Sequence, residues 1–333
     1  MNSQAAIANS QRAGFGALCQ SGLDVAEFTR LEACWVCAGN DLTPVDRARI
    51  DLSAYRHEDP ELADYSGHMV NLSRCAACRF MQPDRLPALP RFFERMYNQQ
   101  WADEWIAREF ESTAKDRIFD CVLRGLAGRV PAQRRALLDV GTHAGRFLSL
   151  ASARGWTAEG IEVNQRTAAH AARATSCCVH RHRAEEIDRL GRRYDAVTLT
   201  DVLEHLPRPV EFLMRVRSVL NQGGWLAVKV PCGPAQRRKE HARARLQSGY
   251  RPRLADNLVH VSHFSPQSLR LALARAGFEA IAIEVGAPES ASSLPSNLLR
   301  SSLYYAARMT PFGVHSPAAF NLQAFARARR GES

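Results

Sequence analysis

The chain has 333 residues, 46% of them apolar, which is enough for one substantial α/β domain plus a smaller module and excludes disorder as its default state. Its formal net charge is +10, and nearly all of the basic residues are arginine. No apolar run reaches membrane-spanning length, and the N-terminal stretch lacks a basic start followed by an apolar core, so a cytoplasmic protein is expected, its nine cysteines being thiols or metal ligands rather than disulfides.

Residues 1–30 read as a flexible tail. Two C-x-x-C knuckles follow, Cys34-Trp-Val-Cys37 and Cys75-Ala-Ala-Cys78. Each places two thiolates at one tight turn, and together they complete the tetrahedral sulfur set of a closed zinc site. Cys34, Cys37, Cys75 and Cys78 are therefore the expected ligands of a structural Zn2+ in a zinc-ribbon-like module over residues 31–85. His57 and His68 lie in the long gap between the knuckles and leave one alternative ligand open. Four thiolates leave no open coordination position, so the metal has no expected catalytic role.

Residues 86–132 read as a helical connector. Phe92, Phe93, Met96, Trp101, Trp105, Ile106, Phe110, Ile118, Phe119, Val122 and Leu123 recur at roughly helical spacing, a pattern that more often makes core than a ligand cage.

The main domain is expected over residues 133–333. Leu137, Leu138 and Val140 form a short apolar run that stops at Gly141, as a buried parallel strand does. A helix over residues 146–154 ends at Gly155, and a second strand over residues 157–161 ends in Glu162. Such a βαβ unit binds a nucleoside: the glycine turn admits the ligand, and the carboxylate accepts hydrogen bonds from ribose hydroxyls. A dinucleotide fold wants G-x-G-x-x-G; here the turn is Asp139-x-Gly141-x-His143-x-Gly145, without a third glycine in that register.

An alanine-rich helix ends near Ala174, residues 178–181 make a weak strand, and Ala184 and Glu185 follow it. A strong strand over residues 194–200 runs into Asp201-Val-Leu-Glu-His-Leu206. Residues 210–220 are helical by period, residues 221–224 a turn, and residues 225–230 a strand. A basic insert over residues 233–258 carries Arg237, Arg238, Lys239, Arg243, Arg245, Arg251 and Arg253 against Glu240; it suits a phosphate-bearing substrate or nucleic acid, or is a solvated helix. Ser265 and Pro266 start a further helix, strands follow over residues 279–285 and 320–326, and a helical insert over residues 295–310 lies between them. That insert shapes a pocket, dimerises or touches a membrane surface. Strands alternating with helices give a mostly parallel sheet of seven strands, covered on both faces.

The glycine turn, the acid after the second strand and the D-V-L-E-H-L segment, in this order, resemble the class I S-adenosylmethionine-dependent methyltransferases, with their Rossmann-like sheet. The resemblance implies S-adenosyl-L-methionine as cofactor, contacted by Asp139, Gly141, Thr142, His143, Gly145, Phe147, Glu162, Val163, Ala184, Glu185, Asp201 and Val202. His143 stands where the family has its middle glycine. The front end, with Cys78-Arg-Phe-Met-Gln-Pro83 and then Tyr97, is similar to the zinc ribbon that precedes the domain in a subgroup acting on sugars, polysaccharide precursors or secondary metabolites. In that family a helix before the first strand covers the cofactor. His205, His260 and His263 fall at the carboxyl end of the sheet, where open α/β folds bind ligands, and the family's histidine before an aromatic selects His263 as general base. Asp201-x-x-Glu204-His205 with a downstream histidine also resembles a divalent-metal site of some methyltransferases acting on RNA ends or catechol-like acceptors. The expected substrate is a small molecule or saccharide precursor, including phosphate-bearing ones such as a nucleotide-linked sugar. RNA or protein methylation through the basic segment, and a non-catalytic scaffold, are the alternatives. The sequence leaves the oligomeric state open.

Overall fold

The computed structural model describes residues 26–291 and 293–329; of the tail expected over residues 1–30, residues 1–25 lie outside them. In chain order the front comprises β1 (Phe28–Arg30), β2 (Leu42–Arg49), α1 (Pro60–Ala63), β3 (Met69–Cys75), β4 (Met81–Pro83) and β5 (Arg85–Pro87). β2, β3 and β4 form an antiparallel sheet, and β1 pairs antiparallel with β5. Residues 28–30 are thus a strand rather than tail. Their partner lies more than fifty residues away in β5, a pairing that no local pattern announces.

α2 (Phe92–Tyr97), α3 (Asp103–Glu111) and α4 (Asp116–Ala127) lead into the main sheet. It is built from β6 (Ala136–Val140), α5 (Arg146–Ser152), β7 (Thr157–Ile161), α6 (Gln165–Thr175), β8 (Cys178–His180), β9 (Tyr194–Thr200), α7 (Pro209–Ser218), β10 (Leu220–Pro231), α8 (Gly233–Leu246), α9 (Pro266–Arg275), β11 (Phe278–Val285), α10 (Leu294–Met309) and β12 (Asn321–Ala328). The strand order is β11-β12-β10-β9-β6-β7-β8, parallel except that β12 runs antiparallel to both neighbours. The chain winds from β6 outward through β7 and β8, then returns to place β9 on the other side of β6. A crevice therefore opens between the carboxyl ends of β6 and β9, where this kind of sheet takes its ligand.

β6 and β9 are apolar along almost their whole length because both faces are covered. One face packs Leu138, Val197 and Val228 under α7 and α9. The other packs Leu137, Ala196 and Phe325 under α4 and α5. Ser265 caps α9 by accepting from the Ser268 amide, with Pro266 at the first helical position. The turn expected over residues 221–224 lies inside β10, where the register against β9 shifts between Leu220 and Trp225; the glycines are absorbed as a bulge instead of ending the strand.

The front module shares its core with the main domain. Ile50, Leu52, Leu72, Phe92 and Met96 pack with Leu258 and Val261 from the segment before α9. Met81 and His263 exchange backbone hydrogen bonds, with N···O distances of 3.1 and 2.9 Å. Asp46 accepts from Arg237 Nε at 2.7 Å and lies 2.6 Å from His241 Nε2. No helix among the described residues is long and apolar enough to cross a membrane.

α4 crosses the sheet at Gly125, where a β-carbon would come within 2.6 Å of Phe325 Cε1. Phe325 is 1% exposed and cannot swing aside. Gly125→Ala should therefore destabilise the fold by about 1–2 kcal/mol, because overpacking outweighs the helix-propensity gain of about 1 kcal/mol. Denaturant unfolding measures this, and a stabilised variant would show that the helix approaches the sheet less closely.

Candidate active site

The first cavity, about 580 Å³, lies at the carboxyl ends of β6, β7 and β9. Its floor is the turn after β6. Gly141 has φ +73°, and a β-carbon there would lie 2.8 Å from Val202 Cγ2, so only glycine leaves this backbone open to a ligand. The Gly141 and Thr142 amides donate to the Ile161 carbonyl at 2.8 and 3.0 Å, tying the turn to β7. Gly145, at φ +94°, lets α5 start directly against Ala171 of α6.

Glu162 closes the turn from the other side. Its Oε2 accepts from the His143 amide and its Oε1 from the Asn164 amide, both at 2.9 Å. Burial raises its pKa, and these amides oppose the shift. Each oxygen has lone pairs beyond the one used. His143 takes the left-handed conformation expected of the missing glycine, at φ +51°. Its ring stands edge-on to Trp105 at 5.4 Å, and Trp105 stacks on Trp101 at 4.3 Å. Burial, then the nearby Lys115 charge, hold this imidazole down to about 4, so it is neutral near pH 7.

Of the residues expected at the cofactor, Gly141, His143, Glu162, Val163, Ala184, Glu185, Asp201 and Val202 line this cavity. Asp139, Thr142, Gly145 and Phe147 shape it from behind. Asp139 is 3% exposed and accepts from Thr198 Oγ1 at 2.6 Å; burial pushes its carboxyl up to about 7. Thr142 packs against Gly160, and Phe147 against Phe119. The sequence reading missed Tyr97, Trp101 and Trp105 as lining residues. The helical spacing in this segment more often makes core, and only the family resemblance, in which a helix before the first strand covers the cofactor, pointed to a cover.

A second cavity, about 690 Å³, meets the first at Asp201 and His205. Lys115, Glu204, Lys229, Lys239, His260, Glu289, Arg300 and Tyr304 are among its walls. Asp201 faces Lys115 Nζ at 3.0 Å and also pairs with Lys229 Nζ. Burial alone would raise the Asp201 carboxyl, but the Lys229 and Lys115 charges outweigh it and bring it down to about 2. Glu204 is 2% exposed and neither of its carboxyl oxygens has a hydrogen-bond partner among the described residues. Burial, then the Asp201 charge, push it up to about 8, so it is protonated near pH 7.

His205 Nδ1 lies 2.8 Å from the Val259 carbonyl and 3.0 Å from the Tyr97 hydroxyl. A carbonyl only accepts, so Nδ1 carries the proton and Nε2 keeps its lone pair. Burial holds the His205 pKa below the ordinary imidazole value. His260 stands edge-on to His205 at 4.7 Å, and burial, then the neighbouring His205, bring it down to about 3. Ligating atoms of Glu204, His205 and His260 lie within 4.8 Å of one another. His263 does not join them. It is 5% exposed, lines neither cavity, and has its Cβ against Gly233 while its backbone bridges to Met81. The pairing of β4 with the His263 backbone joins segments far apart in the chain and is not visible in the sequence.

The four knuckle cysteines cluster, with Sγ atoms 3.5 Å apart for Cys34 and Cys78, 3.4 Å for Cys37 and Cys75, and all within 4.8 Å. Sulfurs about 2.3 Å from a tetrahedral zinc stand about 3.8 Å apart, so the set fits a zinc ion with small adjustment. His57 and His68 are not part of the cluster. The cysteines pack with Phe80 and Phe264 and line neither cavity.

A family model described as a methyltransferase domain matches residues 107–283. The ubiquinone biosynthesis O-methyltransferase of Paracidovorax citrulli (strain AAC00-1) is 26% identical over 133 residues, which is 38% of this chain and 56% of that protein. The chain thus spans little more than half the length of that curated relative. Among solved structures, a SAM-dependent methyltransferase from Archaeoglobus fulgidus is similar at 17% identity and a TM-score of 0.44, over 67% of this chain and 98% of that one. Magnesium protoporphyrin IX methyltransferase from Synechocystis PCC 6803, with bound SAH, is similar at 13% identity and a TM-score of 0.44, over 71% of this chain and 92% of that one. The family match runs from α3 to β11 and takes in just over half of the sequence, including the glycine turn, Glu162 and the Asp201 segment, so this chain belongs to the methyltransferase-domain family of class I S-adenosylmethionine-dependent enzymes.

Proposed function

We propose that this chain methylates a hydroxyl of a small-molecule acceptor, with S-adenosylmethionine in the first cavity and the acceptor in the second. The observation that carries this reading is the meeting of the two cavities at Asp201 and His205. S-adenosylmethionine, when bound, supplies a methyl group already activated on a sulfonium. The chain's own residues bind, orient and deprotonate. The open backbone at Gly141 and the spare lone pairs of Glu162 suit a ribose, while Tyr97, Trp101 and Trp105 exclude water. Asp201 stays ionised between its two lysines at the junction.

His205 is the base in this account. Its Nε2 lone pair is fixed by the Val259 contact, and it takes the proton of the acceptor hydroxyl. His260 abuts it and completes the wall. A dication on Glu204, His205 and His260 would have to sit near the Lys229 and Lys115 charges, which already act on Glu204. The imidazolium formed in the base reading carries a single charge, and the nearby Asp201 favours it more than Lys115 opposes it. Lys239 and Arg300 on the same wall suit a phosphate-bearing acceptor, as in a nucleotide-linked saccharide precursor. The scaffold alternative rested on His143, yet its backbone adopts the glycine conformation and its ring turns onto Trp105. The four cysteines are read as a structural zinc site that fixes β4, and through the Met81–His263 bridge the segment bearing His260.

Two experiments test these assignments. With transfer from a labelled methyl donor as the assay, His205→Gln should lower kcat by about 100-fold or more while donor affinity is retained. In the wild type, kcat/KM should fall as acid protonates Nε2, with the limb below pH 6.5 because the folded imidazole is held below its ordinary value. A limb at or above that value, or one that survives in the variant, would remove His205 from the role. Separately, metal analysis should find one zinc per chain, and Cys34→Ser should release it and lower the melting temperature. Protein purified without chelator yet free of zinc would contradict the ribbon assignment.

A further inference from the structure

Large apolar side chains left exposed are concentrated in one place. Leu246 ends α8, and Leu294, Leu298, Leu299, Tyr305, Met309 and Phe312 lie on or just after α10, each at least 55% exposed; Met214 alone stands elsewhere among the described residues. At 3.6 residues per turn, Leu294, Leu298, Tyr305 and Met309 fall within a sector of about 60°. The opposite side of α10 carries Tyr304 and Ala307, which pack into the core with Val285 and Phe325. The helix is therefore anchored by one face and presents apolar side chains at both ends of the other to solvent.

A second helix, α8, carries uncompensated positive charge. Arg238, Lys239, Arg243 and Arg245 of α8 and Arg251 after it are exposed, and none has a carboxylate partner among the described residues. Only Arg237 and His241 of that helix are paired, both with Asp46. The two helices also flank one opening. Lys239 from α8 and Leu299 and Arg300 from α10 are exposed, and all three line the second cavity.

We propose that this basic and apolar rim seats the protein on an anionic lipid bilayer, with the second cavity opening at headgroup level. An interfacial helix of this kind buries its apolar stripe at the acyl boundary while neighbouring cations meet anionic headgroups. The other occupants match less of the surface. A nucleic acid would satisfy the cations and leave the stripe in water. A second copy laid α10 on α10 would cover the stripe but bring two α8 cation sets, and two chains of net charge +10, against each other. Resting on the assignment of the second cavity to the acceptor, the geometry favours, among phosphate-bearing saccharide precursors, one carried on a lipid in the bilayer over a soluble nucleotide-linked one.

Flotation with vesicles tests the docking without donor or acceptor, so its failure leaves methyl transfer untouched and a failed transfer assay leaves the docking intact. The probes are vesicles of phosphatidylcholine alone and of phosphatidylcholine mixed with phosphatidylglycerol. The protein should bind the mixed vesicles, and binding should weaken with salt. The combined Leu294→Ser, Leu298→Ser and Met309→Ser variant should bind at least ~10-fold more weakly while keeping its melting temperature. Arg238→Glu with Arg245→Glu should do the same. Absence of binding to the mixed vesicles would overturn the proposal. So would binding that the serine variant retains in full, or a stable dimer in sedimentation equilibrium that the serine variant dissolves.

Discussion

The site depends on one buried carboxylate. Glu162 stands at the end of β7 and accepts the His143 amide on one oxygen and the Asn164 amide on the other. The first contact fixes the turn after β6, and the second fixes the start of α6, where Asn164 in turn caps the helix through the Arg166 and Thr167 amides. A single side chain thus holds the two walls of the ligand crevice at their correct separation, and its remaining lone pairs face the cavity. Burying a carboxylate costs free energy unless hydrogen bonds compensate, so the turn and the acid support each other.

Around that point the chain divides the work between its parts. The sheet supplies the crevice through its reversal of winding between β6 and β9. The helical segment before β6 supplies the aromatic cover, with Trp101 and Trp105 over His143. The cysteine module braces the far side, since β4 bridges to His263 and Asp46 grips α8. That bracing connects a cluster that lines neither cavity to the loop that carries His260. The second cavity is walled by charged groups that partly neutralise one another, and it holds a histidine whose tautomer is set by a backbone carbonyl.

Much of this is legible in the residues themselves. β6 and β9 announce themselves because strands covered on both faces must be apolar throughout, and the glycine spacing separates this turn from a dinucleotide-binding one. Ser265 and Pro266 mark the start of α9 by backbone chemistry alone. What the sequence hides is whatever depends on distant partners. β1 exists only because β5 pairs with it. His205 and His263 occupy equivalent positions at the sheet edge, and only the docking of β4 decides that His263 is covered while His205 faces both cavities. The aromatic residues ahead of β6 have the spacing of core, and only the family resemblance pointed to a cover there. The exposure of the α10 stripe likewise follows from which face Tyr304 and Ala307 anchor.

Calorimetric titration of the wild-type protein and of Glu162→Gln with S-adenosylmethionine, and separately with NAD, bears most directly on this account. The wild type should bind S-adenosylmethionine and not NAD. The variant keeps the side chain's size but loses its charge and one acceptor, and should bind about 10- to 100-fold more weakly. Binding of NAD by the wild type, or equal affinity of the two proteins for S-adenosylmethionine, would contradict it.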